Sequence, residues 1–358
     1  MEKFWQIEEL STQVCSEDDL ECERIFIDTV RRSNDGRFVV KLPFKEPPNL
    51  LGESRNLALK RFYYLEKRLR NNIKLRENYT ACMEEYIQLG HMRPVEDSPG
   101  QANYYIPHHA VFKENSSSTK LRVVFDASMK TTNGTALNQI LFVGPVVQPE
   151  LMSIIIRFRF HKYVFSADIT KMYRQIWLHP DHTQFQKIFW RKAHEDELKT
   201  YELRTVTFGV SSAPFLATRC LKYLAELDRC QFPAASAALL QNTYVDDVLA
   251  GAHSLEAALE LQAQLCELLL SAGFELNKWC ANDATLLRDI PKDKQEVQLN
   301  LDFSNEKGVT TLGTIWLPTS DCFHIKFNIK NKGEAITKRQ VLAIIASIYM
   351  IPWVCWVP

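Results

Sequence analysis

The sequence carries no excess of charge of either sign, since Lys plus Arg and Asp plus Glu both number 43 in 358 residues. A strongly positive whole molecule, the usual global mark of a polyanion binder, is therefore excluded, and any such partner must be met by local patches. Paired cysteines are missing as well. The nine cysteines, at 15, 22, 82, 220, 230, 266, 280, 322 and 355, are odd in number and form no C-x-x-C pair, so they read as reduced thiols in an intracellular protein. No apolar run follows Met1, whose neighbours are Glu2 and Lys3, and a secretory signal is not expected. The single uncharged apolar tail, Val341 to Pro358, is barely long enough for a membrane span and is interrupted by Pro352. It reads as a cut-off core helix, with no membrane partner.

What is present supports a sizeable core. Hydrophobic residues make up 46% of the chain, enough for one large lobed domain or two smaller ones. Charge is unevenly spread. Residues 2–23 are acidic (Glu8, Glu9, Glu17, Asp18, Asp19, Glu21, Glu23), whereas 55–76 are basic (Arg55, Lys60, Arg61, Lys67, Arg68, Arg70, Lys74, Arg76). The basic run fits a polyanion partner or a solvated amphipathic helix face.

The chemistry-bearing stretch is Tyr244-Val245-Asp246-Asp247. Asn242 to Val245 reads as a strand and Val248 to Gly251 as its return, with the Asp pair at the reversal where a two-residue hairpin turn falls. Asp168 follows another apolar strand, Tyr163 to Ala167. A sheet joining these strands gathers three carboxylates at one edge, a donor set suited to hard divalent cations. Two such ions a few ångström apart can activate a 3′-hydroxyl and stabilise a leaving pyrophosphate.

Around that stretch the pattern alternates helix and strand. Phe4 to Glu9 and Ile25 to Val30 read as short helical patches. Asn34-Asp35-Gly36 turns into a strand, Arg37 to Leu42, that Pro43, Pro47 and Pro48 end. Arg55 to Leu89 is helical, with Leu57, Phe62, Leu65, Leu69 and Ile73 as a buried stripe, and Gly90 stops it. Strands are expected over Asn103 to Phe112 and Lys120 to Phe125, joined by a polar hairpin at Glu114 to Thr119. Lys113, Lys120 and Arg122 lie around that hairpin, either to meet phosphates or as ordinary strand-edge charge. His108 and His109 point to opposite faces of a strand and so do not share a metal ion. A helix over Leu151 to Phe158 precedes the Asp168 strand. Further strands, Gln186 to Arg191 and Thr200 to Thr207, lead to Phe208 to Pro214, which opens a helix to about Asp228. The small residues and glycine of that opening allow close backbone approach to a flat partner, or form a plain loop and cap. Ser254 caps an amphipathic helix that Gly273 ends, and Phe274 to Trp279 is the next strand. Strand, helix, hairpin, helix, strand is the order of a split βαβ sheet with helices on one face. Residues 309–317 add a strand pair, and Thr337 to Tyr349 a helix.

In order, the chain presents LRVVFD (Leu121 to Asp126), FSADITKMY (Phe165 to Tyr173), FGVSSAPF (Phe208 to Phe215), YVDD (Tyr244 to Asp247), GFELNKW (Gly273 to Trp279) and Leu312-Gly313. The series resembles the finger and palm motifs of reverse transcriptases. More narrowly, LGESRNLALKRF (Leu51 to Phe62), YYIPHHAV (Tyr104 to Val111) and LRVVFDAS (Leu121 to Ser128) resemble the polymerase segment of BEL/Pao-type retrotransposon polyproteins. That resemblance implies an RNA-directed DNA polymerase with the α+β polymerase right-hand fold, its palm a split βαβ, ferredoxin-like sheet accompanied by fingers and a partial thumb. It divides the chain into a pre-polymerase segment (1–50), fingers (51–160), palm with motifs A to E (161–318) and the start of a thumb (319–358).

By the same resemblance, Asp168, Asp246 and Asp247 are catalytic carboxylates, Asp168 and Asp246 being preferred as direct ligands of two Mg²⁺ ions, with Mn²⁺ as the alternative. Arg122 contacts the incoming triphosphate, and Tyr173 crowds the sugar 2′ position. Phe208 and Gly209 lie along template and nucleotide, Lys278 assists the leaving pyrophosphate, and Leu312 and Gly313 grip the primer end. The implied partners are an RNA or DNA template with its primer and deoxynucleoside triphosphates. The implied place is a cytoplasmic retroelement particle. The chain departs from the family in holding no Asp-Thr-Gly or Asp-Ser-Gly triplet of an aspartic protease and no room for an RNase H or integrase. It stops within the expected thumb, where Met350-Ile351-Pro352-Trp353 replaces an Asp-Pro-Leu-Gly-type turn. The rival expectation is a catalytically idle remnant that binds nucleic acid. A nucleotide cyclase on a similar palm accounts for the acids but not for the finger and primer-grip blocks.

Overall fold

The computed structural model describes residues 15–96, 102–112, 121–296, 299–301, 304–311, 314–324 and 338. In chain order these form α1 (Glu17–Thr29), β1 (Arg31–Arg32), β2 (Phe38–Val40), α2 (Arg55–Arg70), α3 (Ile73–Gln88), β3 (Met92–Val95), β4 (His108–Phe112), β5 (Leu121–Phe125), α4 (Leu151–Phe160) and β6 (Tyr163–Ile169). There follow β7 (Trp177–Leu178), β8 (Lys187–Trp190), β9 (Lys199–Leu203), α5 (Ala213–Leu227), α6 (Pro233–Gln241), β10 (Thr243–Tyr244), β11 (Asp247–Ala252), α7 (Leu255–Ser271) and β12 (Leu276–Ala281). The last strands are β13 (Leu299–Leu301), β14 (Ser304–Thr311), β15 (Thr314–Leu317) and β16 (Cys322–His324). Two compact units result, one from residues 1–147 with 173–219, the other from 148–172 with 220–358. Among the described residues no helix is long and apolar enough to cross a membrane. The tail from Val341 to Pro358 lies outside them, as do the helical patch at Phe4 to Glu9 and, apart from Lys338, the helix expected over Thr337 to Tyr349.

The unit containing 148–172 is built on an antiparallel sheet of order β10-β11-β6-β12. Its two inner strands are rich in Val, Phe, Leu and Ala, and their middles are buried on both sides. Alternation sends Val164, Leu249 and Cys280 to one face, where Ile154 and Phe158 of α4 and Trp316 of β15 cover them. The rings of Phe158 and Trp316 meet edge to face at 5.1 Å. Helix α7 begins as its sequence requires: the Ser254 side chain accepts from the Ala257 amide, and Leu261, Leu265, Leu268 and Leu269 are buried. The strand expected over Phe274 to Trp279 is displaced to 276–281, because Gly273, at φ 76°, and the residues after it complete the turn out of α7. Helix α6 has no counterpart in the sequence pattern. Its PAASAALLQ sequence has small residues on every side and so lacks the one-sided stripe that marks most surface helices.

In the other unit the sheets are β1-β2-β7, β3-β9-β8 and the β4-β5 hairpin. The helical run from Arg55 is two helices and not one. Asn71 and Asn72 break it, and Asn72 caps α3 by accepting from the Leu75 amide at 2.9 Å. The buried stripe therefore closes at Leu69, and Ile73, expected inside, is exposed at the new N-terminus. Only the last five residues of the strand expected from Asn103 are ladder-paired, with Tyr105 making an isolated bridge to Lys187. The expected strand Thr200 to Thr207 stops at Leu203. The hairpin tip, including Lys113 and Lys120, lies outside the described residues.

His108 and His109 do diverge. His109 is exposed, whereas His108 is buried, with Nε2 donating to the Phe189 carbonyl at 2.8 Å and Nδ1 accepting from the Tyr79 hydroxyl at 2.5 Å. Burial holds the His108 pKa down to about 4, and His182, which accepts from the Leu42 amide, is also held down to about 4. A histidine whose folded pKa lies below its unfolded value contributes stability that is fully present above the unfolded pKa and fades as pH falls to the folded one. The window here runs from about 6.5 to about 4, and the loss attached to His108 is on the order of 3 kcal/mol. Urea unfolding at pH 7.5 and 4.5 should show that loss in the wild type and a smaller one in His108→Gln. Equal losses in both proteins would remove His108 as its source.

Candidate active site

Val245 and Asp246 form the two-residue turn between β10 and β11, because Tyr244 pairs with Asp247. This corrects the expectation that Asp246 and Asp247 sit together at the reversal: the turn lies one residue earlier, and Asp247 is the first residue of β11. Only the first turn residue has positive φ, as type II′ hairpins require, but here it is Val245, at 55°. A β-branched residue resists that conformation, so the turn must be held from outside. The Val245 amide donates to Gln148 Oε1 at 3.0 Å, and the Ile169 amide donates to the Asp246 carbonyl at 2.7 Å. Arg157 of α4 donates to Asn242 Oδ1 at 3.0 Å and to the Gln241 carbonyl. Neither Gln148 nor Arg157 belongs to any motif, and no local pattern marks them.

This register sets Asp247 directly opposite Asp168 on the same face of the sheet, with Asp246 on the adjoining turn. Like charges across a ladder repel. Burial, then the charges of Asp246 and Asp168, push the Asp247 pKa up to about 7, while Lys278 acts the other way. Lys278 reaches the site through a β-bulge. The pairing of β12 with β6 shifts between Asn277 and Cys280, Lys278 takes φ 52°, and its Nζ lies 3.1 Å from Asp168 Oδ1. No sequence motif marks a fourth carboxylate near the site, Glu296. Its amide donates to the Trp279 carbonyl, and burial and the Asp168 charge raise its pKa against the pull of Lys278.

Three aspartates supply only oxygen donors, the set that hard divalent ions take, and the charges of Asp246 and Asp168 add to burial in raising the Asp247 pKa against Lys278. These residues fit such an ion by charge and donor type. As they stand, no three His, Cys, Asp or Glu side chains among the described residues are placed to hold one, and an ammonium group occupies the Asp168 side.

The other predicted residues form a second group, in the unit containing 173–219. Tyr173, in the turn Met172–Gln175, is 8% exposed, and its ring centroid lies 4.2 Å from that of Phe208, which is 43% exposed. Arg174 anchors this turn: its guanidinium lies 3.9 Å over the Tyr86 ring, donates to His91 Nδ1 at 3.0 Å and stands 3.4 Å from Glu85. Gly209 has φ 98°, and a Cβ there would run into the Phe125 carbonyl oxygen. Glycine is thus required twice over, and the close partner that its backbone approaches is the chain's own β5. Arg122 projects from the exposed side of β5, between buried Leu121 and Val123. Leu312 and Gly313 lie outside the described residues.

A four-stranded antiparallel sheet presenting three aspartates at a strained hairpin, within a chain of mixed helix and sheet, is the α+β right-hand fold of nucleotidyl-transferring polymerases. Residues 113–280 match the family described as reverse transcriptase (RNA-dependent DNA polymerase). No curated protein matches the chain. Among solved structures it is similar to a foamy viral protease-reverse transcriptase in complex with double-stranded DNA, at 16% identity and a TM-score of 0.50. That likeness covers 78% of this chain and 40% of the viral one, so the chain spans less than half the length of the protein it resembles.

Proposed function

We propose that the chain is an RNA-directed DNA polymerase of the BEL/Pao retrotransposon type, adding deoxynucleotides to a primer 3′-end. The observation that carries this reading is the register that sets Asp247 opposite Asp168 with Asp246 on the adjoining turn. In it, 161–318 serves as palm and 51–160 as fingers. Asp168, Asp246 and Asp247 would hold two Mg²⁺ ions, which when bound would lower the pKa of the primer hydroxyl and neutralise the triphosphate. Lys278, whose Nζ lies 3.1 Å from Asp168 Oδ1, would assist the leaving pyrophosphate. Arg122 binds the triphosphate, Tyr173 and Phe208 face the sugar and base, and Gly209 keeps the chain clear of template and nucleotide. A labelled primer on an RNA template should lengthen when protein, deoxynucleotides and Mg²⁺ are combined and stay unchanged when Mg²⁺ is chelated. No lengthening under the first condition removes the proposal.

One observation favours the rival, an idle protein that only binds nucleic acid: Lys278 stands on Asp168 where an ion would be held. Both readings need a nucleic-acid surface, and α2 supplies one. Lys60, Lys67, Arg68 and Arg70 are exposed along it, together with Tyr63 and Tyr64, and none of these four cations has an ion-pair partner among the described residues. Reversing Lys67, Arg68 and Arg70 to Glu should weaken binding to a primer-template and flatten its salt dependence, by about one unit of log–log slope for each phosphate no longer neutralised. An unchanged slope would leave α2 as a solvated helix face.

A further inference from the structure

The segment from Phe208 to Ser211 has no sheet ladder to hold it, and its internal hydrogen bonds are local turns such as Val210 amide to Thr207 carbonyl. One side chain ties it down. Asn138, in the turn Leu137–Gln139, donates from Nδ2 to the Gly209 carbonyl at 2.9 Å and to Ser128 Oγ at 2.8 Å, while its Oδ1 accepts from the Ser211 amide at 2.9 Å. Its own amide donates to the Ala127 carbonyl at 3.1 Å. Only one orientation of the amide gives a donor to the carbonyl and an acceptor to the N–H, so both halves of the side chain are committed. Asn138 therefore joins two segments: 127–128, just after the strand that bears Arg122, and 209–211, just after Phe208. Phe208 in turn backs Tyr173. Gly209 rests on the Phe125 carbonyl, so small losses of restraint cannot be absorbed by moving inward.

We propose that Asn138 is a positioning residue for the incoming deoxynucleotide, setting the height of the Phe208–Gly209 backbone and, through Phe208, the stiffness of the Tyr173 wall. The proposal rests on the polymerase reading above. It implies that Asn138 acts on nucleotide binding and sugar choice rather than on the chemical step, because it touches none of the carboxylates' supports described above.

The test compares wild type with Asn138→Ala, Asn138→Asp and Ser128→Ala. In single-nucleotide primer extension, Asn138→Ala should raise KM for the deoxynucleotide by about tenfold or more with kcat within about threefold, and should lower the preference for deoxy over ribo sugar. Asn138→Asp keeps the acceptor for Ser211 but sets a carboxylate oxygen against the Gly209 carbonyl, so it should be worse than Ala. Ser128→Ala leaves the Gly209 and Ser211 bonds in place and should stay within about twofold of wild type. Hydrogen exchange adds a readout independent of turnover: the Ser211 amide should exchange about tenfold or more faster in Asn138→Ala while the β3-β9 ladder is unchanged. An active Asn138→Ala enzyme with unaltered KM and sugar preference overturns the proposal alone. So does a loss of kcat and KM in step with melting temperature, which would make Asn138 a structural prop. A wild type that extends no primer overturns the polymerase reading, and this proposal with it.

Discussion

Asp168→Asn should cut nucleotide addition by roughly a thousandfold or more, because the lost charge is one that only the metal-loaded transition state needs. The fold should survive. Asp168 is half-buried at the end of β6, and its isostere keeps every backbone bond of the ladder with β11 and β12. Without Mg²⁺ the variant should melt no lower than wild type. Asp247 faces Asp168 directly, and the Asp168 charge adds to burial and Asp246 in raising its pKa, so removing that charge relieves repulsion. Against that stands the Lys278–Asp168 ion pair, whose partners are about two-fifths and one-fifth exposed, a setting in which such a pair is worth about 1 kcal/mol or less. Single-nucleotide incorporation beside thermal melts, with and without Mg²⁺, checks both halves. Incorporation at the wild-type rate would end the metal assignment.

Tyr173→Ala should admit ribonucleotides. In the proposed arrangement the ring crowds the sugar 2′ position, and a 2′-hydroxyl meets an overlap worth a few kcal/mol, which translates to a selectivity of tens to thousands. The ring is well placed to resist such a push. It lies against Phe208 at 4.2 Å, and the next residue, Arg174, is clasped by Tyr86, His91 and Glu85. Removing it leaves Phe208 without its neighbour, so some loss of deoxynucleotide affinity should accompany the gain of ribonucleotide use. Competition between dCTP and CTP on one template measures the ratio. An active variant with unaltered sugar preference would make Tyr173 a packing residue.

The framework of both experiments was legible in the sequence because its signals are local. The apolar run at Tyr163, the paired aspartates, the Ser254 cap and the Gly273 stop each act within a few residues, and they lead to the β6, β10-β11 and α7 elements observed. The hairpin was misplaced by one residue because turn preferences would assign Asp, not Val, to a strained position, and tertiary bonds to Gln148 and Ile169 override them. Helix α6 escaped because small residues surround it. The supports of the candidate site were illegible for a different reason: Asn138, Gln148, Arg157, Arg174 and Glu296 act across long sequence separations, and nothing near each residue foretells its partner. His108 is the instructive intermediate case. Alternation excluded a shared metal, but only the packed core reveals that Tyr79 and Phe189 satisfy both ring nitrogens.

The most direct measurement is extension of a labelled DNA primer on a homopolymer RNA template by wild type and Asp246→Asn in parallel, with binding of the RNA–DNA hybrid followed in the same samples. A ladder of deoxynucleotide products that needs Mg²⁺ and is absent from Asp246→Asn, with hybrid binding alike in both, is the predicted result. Hybrid binding by the wild type without any extension would contradict it and leave an idle nucleic-acid binder in its place.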